Sequence, residues 1–308
     1  MSSMNHEAIV DVSGLTRAFG AKVALQNVSL RVRPGQVFGL VGENGAGKTT
    51  LIRHLLGAFE AESGAVRVFG LDPVRHPVAV LGRIGYLSED RDLPLWMRVR
   101  EYMAYTAAFY PDWDAGYAEE LRRRFDLPPE AKLKQLSRGE KAKAGLLAAL
   151  AHRPDLLLLD EPSSGLDAVA RRDILGEVIR SVAEEGRTVI FSSHLLDEVE
   201  RVSDHVAMIH EGVVALDLPM DTLKETHHRA VVRLAEGRSD FPPVGGLLHA
   251  EGAERDWSLL LEGAREPLEG ALRAAGAQVL EWSVPTLDAI FVGRVTGRPA
   301  AGATGDEP

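Results

Sequence analysis

The sequence of 308 residues contains no cysteine. Disulfides, thiolate metal sites and cysteine nucleophiles are therefore excluded, which is compatible with a reducing compartment such as the cytosol. Long hydrophobic runs are also missing, since the apolar stretches at 145–151 and 156–159 are far shorter than the ~20 residues that span a membrane. Residues 1–7 are polar, and no apolar segment follows them as in a secretory signal. We expect any membrane role to depend on a partner.

Positive charge is scarce as well. The chain has 35 Lys and Arg against 45 Asp and Glu, for a net charge of −10 and no basic block. Such a surface repels a polyanion, so we expect no nucleic acid partner. The apolar fraction of 45% is ample for a core, and the length favours one large domain with a smaller one.

The most informative segment is 42–49, which reads Gly-Glu-Asn-Gly-Ala-Gly-Lys-Thr directly after an apolar run. This spacing is typical of a phosphate-binding P-loop, in which backbone N–H groups surround the phosphates and the lysine reaches the β and γ oxygens. The alternative is a glycine-rich turn that only caps a helix, and the preceding strand pattern disfavours it. The residues predicted to bind the nucleotide here are Gly42, Asn44, Gly45, Gly47, Lys48, Thr49 and Thr50.

The pattern along the chain predicts an α/β fold. Short alternating segments at 9–12, 23–32 and 36–41 indicate strands, and 99–125 has helical periodicity. Apolar runs at 156–159 and 188–191 enclose a helical segment at 169–183. This β-α-β order predicts a parallel sheet with the P-loop at its carboxyl edge. No internal repeat occurs, so we expect one nucleotide site per chain.

Two adjacent carboxylates, Asp160 and Glu161, follow the apolar strand at 156–159. P-loop enzymes place the acid that holds the Mg²⁺ shell at this position, which Asp160 fits. Glu161 then suits a general base or a group that orients the attacking water. A solvated loop start is the alternative reading of such a pair.

Three further segments accompany these carboxylates. Residues 136–140 read Leu-Ser-Arg-Gly-Glu, 163–167 read Ser-Ser-Gly-Leu-Asp, and 192–194 read Ser-Ser-His. Ser137 followed by Glu140 is also an ordinary helix capping box. The order and spacing of all these motifs favour the functional interpretation.

With these motifs, residues from Ile9 to about 225 resemble the ATP-binding cassette (ABC) family. The resemblance implies a Walker A loop at 42–49, a Walker B strand at 156–160, a signature segment at 136–140 and a D-loop at 164–167. It also implies that Glu161 is the catalytic carboxylate and that His194 contacts the γ-phosphate. Phe19 aligns with the aromatic residue that stacks on adenine, although a core position is an equal alternative.

Two motifs depart from the family pattern. The usual Leu-Ser-Gly-Gly-Gln signature has Arg138 and Glu140 here, while Ser137 and Gly139, which the resemblance places at the opposing nucleotide, are retained. Glu89 replaces the usual glutamine after the strand at 84–87. A carboxylate can still bind Mg²⁺. The resemblance therefore implies Thr49, Glu89 and Asp160 as the Mg²⁺ residues.

The resemblance, for residues up to about 225, and the pattern and composition of the rest of the chain predict the domain organisation. We expect a P-loop NTPase with an N-terminal antiparallel β subdomain, a parallel core sheet and a helical insert at about 90–135, together forming a nucleotide-binding domain at 1–225. A small α+β domain follows at 226–295, and 296–308 is predicted to be a disordered tail. Ile290 and Phe291 precede the segment 296–308. They could belong to a functional tail, but a plain amphipathic helix is favoured.

The expected function is ATP hydrolysis coupled to transport. Two cassettes, identical or different, would close on ATP, and a separately encoded multi-span membrane subunit would dock on the helical insert. This places the chain at the cytoplasmic face of the cell membrane. Glu89 and the segment 285–291 resemble exporters of the drug and bacitracin types. The alternatives are a soluble ABC ATPase that acts on ribosomes or DNA and, less favoured, a GTPase, although the chain has no Asn-Lys-x-Asp guanine motif.

Overall fold

The structure is a computed structural model that describes residues 8–90, 92–183 and 185–296. The chain divides into two compact units, with the division between Asp217 and Leu218, whereas the sequence interpretation placed a domain boundary at 225. The predicted tail lies outside the described residues except for the backbone of its first residue.

An antiparallel sheet of three strands begins the first unit. Its strands are β1 (Val10–Phe19), β2 (Lys22–Val32) and β4 (Ser63–Val68), in the order β2-β1-β4. The alternating apolar residues of β1 and β2, such as Val10, Val12, Leu30 and Val32, are buried on one face. This sheet corresponds to the predicted N-terminal β subdomain.

A sheet of six strands forms the centre of the same unit, in the order β5-β6-β7-β3-β8-β9. Its strands are β3 (Val37–Val41), β5 (Ile84–Leu87), β6 (Leu156–Asp160), β7 (Thr188–Ser193), β8 (His205–His210) and β9 (Val213–Pro219). The pairs from β5 through β8 are parallel. Every residue of β3, β6 and β7 is buried, as expected for strands covered on both faces. The predicted parallel core sheet is confirmed.

The described residues of this unit form the helices α1 (Lys48–Leu55), α2 (Pro77–Leu81), α3 (Val99–Ala107), α4 (Ala115–Arg124), α5 (Arg138–Leu150), α6 (Ala168–Ala183) and α7 (Leu196–Val202). The predicted helical insert consists of α3, α4 and a short 3₁₀ turn at Leu133–Gln135. The Asp114 side chain begins α4 by accepting a hydrogen bond of 2.8 Å from the N–H of Tyr117. The sequence pattern did not predict α2, α7, β8 or β9.

The second unit has its own core. It contains α8 (Met220–Thr226), β10 (His227–Arg238), β11 (Leu247–Glu262), α9 (Arg265–Ala274), β12 (Ala277–Ser283) and α10 (Leu287–Thr296), with antiparallel strands in the order β11-β10-β12. Val232, Trp257 and Leu261 are buried in this core. Ile290 and Phe291 are buried on α10, which supports the helix interpretation of that segment. No helix in the described part of the chain is long and apolar enough to cross a membrane.

Candidate nucleotide site

The P-loop connects the end of β3 to the start of α1. Gly47 immediately precedes α1 with φ of 117°, and a Cβ atom there would lie 2.5 Å from the carbonyl oxygen of Ala24. A Cβ on Gly42 would lie 2.2 Å from the carbonyl oxygen of Ile209. Only glycine fits at these two positions, because the loop passes close to the surrounding backbone there. The backbone of the loop can therefore curve around a phosphate group.

The remaining loop residues are arranged around Lys48. The ammonium group donates hydrogen bonds to the carbonyl oxygens of Gly42 at 2.6 Å and Glu43 at 3.2 Å. Asn44 and Gly45 are exposed on the loop, and Thr49 and Thr50 are partly exposed at the start of α1. The residue that precedes α1, Gly47, has no side chain to cap the first N–H groups of the helix. These groups, with the positive end of the helix, suit an anion.

Glu161 faces the P-loop lysine from the end of β6. Its Oε1 atom lies 3.0 Å from the Nζ atom of Lys48, and both side chains are buried. Oε1 nevertheless accepts no directed hydrogen bond from the described residues. The contact is therefore a charge pairing, and one buried acceptor position remains available to a hydrogen-bonding substrate or water.

Ser192 joins the two adjacent acidic residues. Its hydroxyl donates to Oδ1 of Asp160 at 2.7 Å and accepts from the backbone N–H of Glu161 at 3.0 Å. Burial raises the pKa of the Asp160 carboxyl group, and the neighbouring Ser192 and Thr49 hydroxyls act in the opposite direction. Sequence analysis gave Ser192 no role, but the pairing of Asp160 with Ser192 in adjacent strands explains its place.

His194 completes the arrangement around Glu161. Its Nδ1 lies 2.7 Å from Oε2 of Glu161, and its backbone N–H donates to the same oxygen at 3.3 Å. Glu161 adopts the left-handed conformation with φ of 47°, which is uncommon for a residue other than glycine and is found at functional sites. The structure thus brings Lys48, Thr49, Asp160, Glu161 and His194 together.

A second hydrogen-bonded group supports the turn after Glu161. The Ser163 hydroxyl donates to Oε2 of Glu198 at 2.5 Å, and Oε1 of Glu198 lies 3.0 Å from Nε of Arg171. Burial raises the pKa of Glu198. These residues link α7 and α6 to the strand end that carries Glu161, and the sequence offered no local signal for them.

The signature segment begins α5. Ser137 and Glu140 form the capping box, in which the Ser137 N–H donates to Oε2 of Glu140 at 2.7 Å and the Glu140 N–H donates to the Ser137 hydroxyl at 3.2 Å. This contact lowers the pKa of Glu140. Gly139 is buried, and a Cβ there would lie 2.7 Å from Cβ of Ala170. Gly139 therefore lets the starts of α5 and α6 approach closely.

Two predicted site residues lie apart from this cluster of contacts. Glu89 is exposed in the turn after β5, one strand from β6, and no hydrogen bond or ion pair joins it to another described residue. Its predicted role at Mg²⁺ stays a prediction. Phe19 is 44% exposed, with its ring 5.5 Å from that of Phe59 and the guanidinium of Arg17 4.8 Å above it. Exposure excludes the core alternative and leaves the ring accessible for stacking.

The residues present fit a triphosphate with a divalent ion. The glycine cradle, the free helix N–H groups and Lys48 suit phosphate oxygens. Thr49 and Asp160 offer the hard oxygen ligands that Mg²⁺ prefers. Glu161 supplies an available carboxylate oxygen beside them.

Comparison with known proteins also points to a nucleotide-binding protein. A family profile described as "ABC transporter" matches residues 25–164. The bacitracin transport ATP-binding protein BcrA of Bacillus licheniformis is 34% identical over 72% of this chain and 73% of its own length. The daunorubicin resistance ATP-binding protein DrrA3 of Streptomyces coeruleorubidus is 31% identical over 93% of this chain and 95% of its own.

Among solved structures, one titled as the ATP-binding subunit of an ABC transporter has a TM-score of 0.64 and 27% identity, over 70% of this chain and 92% of that one. On the site, the fold and these relatives together, the chain belongs to the ABC transporter family as an ATP-binding subunit that hydrolyses ATP.

Proposed function

We propose that this chain hydrolyses MgATP in a pair of cassettes and thereby drives export through a separately encoded multi-span membrane subunit. The observation that carries the proposal is the group formed by Lys48, Glu161 and His194, in which one carboxylate contacts both the P-loop lysine and the histidine. Similarity to proteins named for bacitracin transport and daunorubicin resistance supports the export direction.

The site residues have separate roles in ATP hydrolysis. Lys48 and the N–H groups of the P-loop bind the β- and γ-phosphates, and Phe19 stacks on the base. A Mg²⁺ ion held by Thr49 and Asp160, with Glu89 as a further candidate ligand, would neutralise phosphate charge. Glu161 accepts a proton from the attacking water as the oxygen bonds to the γ-phosphorus and the bond to the ADP oxygen breaks. His194 orients Glu161 through the 2.7 Å contact.

A second cassette completes each site in this proposal. Ser137, which is exposed just before α5, and the nearby Gly139 would approach the γ-phosphate bound by the other cassette. Because ADP lacks that phosphate, hydrolysis removes the contact and favours opening. The second cassette is a copy of this chain in the simplest arrangement, and a related chain is the alternative.

An apolar groove of about 1200 Å³ offers a place for the membrane subunit. It lies between α2 and the helical insert, and Val78, Trp96 and Phe109 are 87%, 73% and 64% exposed beside it. Exposed large apolar side chains concentrated in one place favour an interaction surface. A short amphipathic helix on the cytoplasmic side of a membrane protein suits its shape and apolar lining, which supports a position at the inner face of the membrane.

The first experiment compares Glu161→Gln with Lys48→Ala. We expect Glu161→Gln to bind ATP and to lose at least about 100-fold in turnover, since it removes the general base. Lys48→Ala should lose ATP binding itself. Sedimentation of Glu161→Gln with ATP should show a dimer, and a monomer at all concentrations would exclude the homodimer. Equal turnover in wild type and Glu161→Gln would remove Glu161 from catalysis.

The second experiment tests the groove. Trp96→Ala should abolish recovery of a multi-span membrane protein from solubilised native membranes while ATP hydrolysis by the purified chain stays within twofold. The matched control is Ile179→Ala on α6, which removes a side chain that is 48% exposed elsewhere. Recovery of ribosomes or DNA in place of a membrane protein would favour the soluble ABC ATPase.

A further inference from the structure

Arg138, the first residue of α5, replaces a glycine of the family signature, and its side chain packs on the D-loop. A Cβ placed on Gly165 would lie 2.2 to 2.6 Å from three atoms of the Arg138 guanidinium group. The planar guanidinium therefore rests directly on Gly165. No carboxylate among residues 8–90, 92–183 and 185–296 forms an ion pair with Arg138, so charge pairing does not explain this position.

The surrounding packing fixes the two segments relative to each other. The close approach of Gly139 to Ala170 holds the start of α5 against the start of α6. Asp167 fixes the first turn of α6 by accepting hydrogen bonds of 2.9 Å from the N–H groups of Val169 and Ala170. Gly165 has φ of 64°, a conformation that glycine adopts without strain. The D-loop backbone is thus presented to Arg138 in a defined position.

Gly165 is in turn connected to the catalytic carboxylate. The N–H of Ser164 donates to the carbonyl oxygen of Glu161 at 3.0 Å, and the N–H of Leu166 donates to that of Ser163 at 3.1 Å. Two successive turns therefore span the short distance from Glu161 to Gly165. A displacement of Gly165 is transmitted to the backbone of Glu161, which already holds the strained φ of 47°.

On its other side Arg138 adjoins Ser137, whose position is set by the capping box with Glu140. The continuous physical path runs from Ser137 through Arg138 to Gly165 and then to Glu161. We propose that Arg138 is a positioning residue that couples the serine offered to the second cassette with the catalytic carboxylate of its own site. This inference rests on the proposed pairing of cassettes.

The first test is steady-state ATP hydrolysis by Arg138→Gly, which restores the residue usual in the family. We expect kcat to fall roughly fivefold, equivalent to about 1 kcal/mol, with KM for ATP within twofold and a Hill coefficient closer to one. Arg138→Lys keeps the charge without the planar group, and we expect it to resemble Arg138→Gly. Full restoration by lysine, or a rise in KM with kcat unchanged, would show a charge contact with nucleotide and overturn the proposal.

The second test is a double-mutant cycle with Gly165→Ala. Alanine strains the backbone at φ of 64° in either background, but it displaces the guanidinium only when Arg138 is present. Gly165→Ala should therefore lower kcat by a several-fold larger factor in wild type than in Arg138→Gly. Additive effects would overturn the proposal.

The same variants are also made in Glu161→Gln and sedimented with ATP. This measurement separates failure of the proposed pairing of cassettes from failure of the proposed role of Arg138. Dimers with the expected non-additive cycle support the coupling. Dimers with an additive cycle overturn only the role of Arg138. A monomer in Glu161→Gln with Arg138 intact would overturn the proposed pairing and this inference together.

Discussion

At the scale of single residues, Ser192 links the two adjacent acidic residues of the site. One hydroxyl donates to the Asp160 carboxylate and accepts from the Glu161 backbone, in a fully buried position. A hydrogen bond to a charged group contributes more than one between neutral groups. Ser192 therefore determines both the orientation of one carboxylate and the conformation of the next.

Ser192→Ala should lower the free energy of unfolding by about 1.5–3 kcal/mol because it removes a buried hydrogen bond to a carboxylate. The measurement is urea unfolding without nucleotide. The control is Ser193→Ala, where the lost bond is a neutral one from the Leu195 N–H at 3.0 Å, and the loss should stay near 1 kcal/mol. Equal losses would show that the contact with Asp160 adds nothing.

Asp160 has a raised pKa because its carboxyl group is buried. The folded chain therefore holds this proton at pH values where the unfolded chain has released it, so stability from this group is present at low pH and is lost as pH rises through the folded pKa. Asp160→Asn, which stays neutral, should unfold at higher urea than wild type at pH 7. The difference should shrink as pH falls toward the ordinary aspartate range, and a constant difference would contradict the assignment.

At the scale of elements, the junction of β3 and α1 depends on the backbone of the P-loop. Gly47 immediately precedes α1 in a conformation and at a distance that exclude a side chain. Gly45 shares a positive φ, but among the described residues only the Lys22 ammonium lies near its Cβ position, at 3.8 Å. The same substitution at the two positions therefore separates backbone strain from steric exclusion.

Gly45→Ala should cost about 1–2 kcal/mol of stability, from left-handed strain alone. Gly47→Ala should cost more than about 3 kcal/mol and weaken ATP binding at least tenfold, because the loop must move away from Ala24. Isothermal titration with ATP and urea unfolding measure the two effects. Similar losses at both positions would show that the contact with Ala24 is relieved without moving the loop.

At the scale of the whole molecule, the chain has two units with separate buried cores. Ligand binding stabilises the native state of the unit that binds it, and a unit that unfolds separately gains nothing from that ligand. ATP should therefore raise the unfolding temperature of the first unit and leave that of the second unchanged.

Leu261→Ala tests this independence, since Leu261 is fully buried in the second core. We expect it to destabilise the second unit by about 2–5 kcal/mol through the cavity it creates, with ATP affinity within twofold of wild type. Leu158→Ala, in the buried strand β6, is the counterpart that should weaken the first unit. Calorimetry with and without ATP measures the unfolding transitions of both variants. A single transition that is shifted by Leu261→Ala and by Leu158→Ala alike would contradict two units that unfold independently.

The sequence by itself determined the features that depend on local spacing. Three features of this kind are the P-loop between a strand and a helix, the carboxylates at the end of β6 and the capping box of α5. Each lies within a few residues of the chain, so its spacing predicts where it stands relative to a strand or helix. The parallel sheet followed from the order of its elements. Membership of the ABC family followed from the order of the motifs.

Only the tertiary structure decided which distant residues touch. Ser192 meets Asp160 because β6 and β7 are adjacent, and Arg138 rests on Gly165 because α5 and α6 begin side by side. Glu89 follows β5 at the carboxyl edge of the sheet, and no hydrogen bond or ion pair joins it to another described residue. Such contacts depend on strand order, register and helix packing, which act across long separations in sequence and leave no pattern in any short segment.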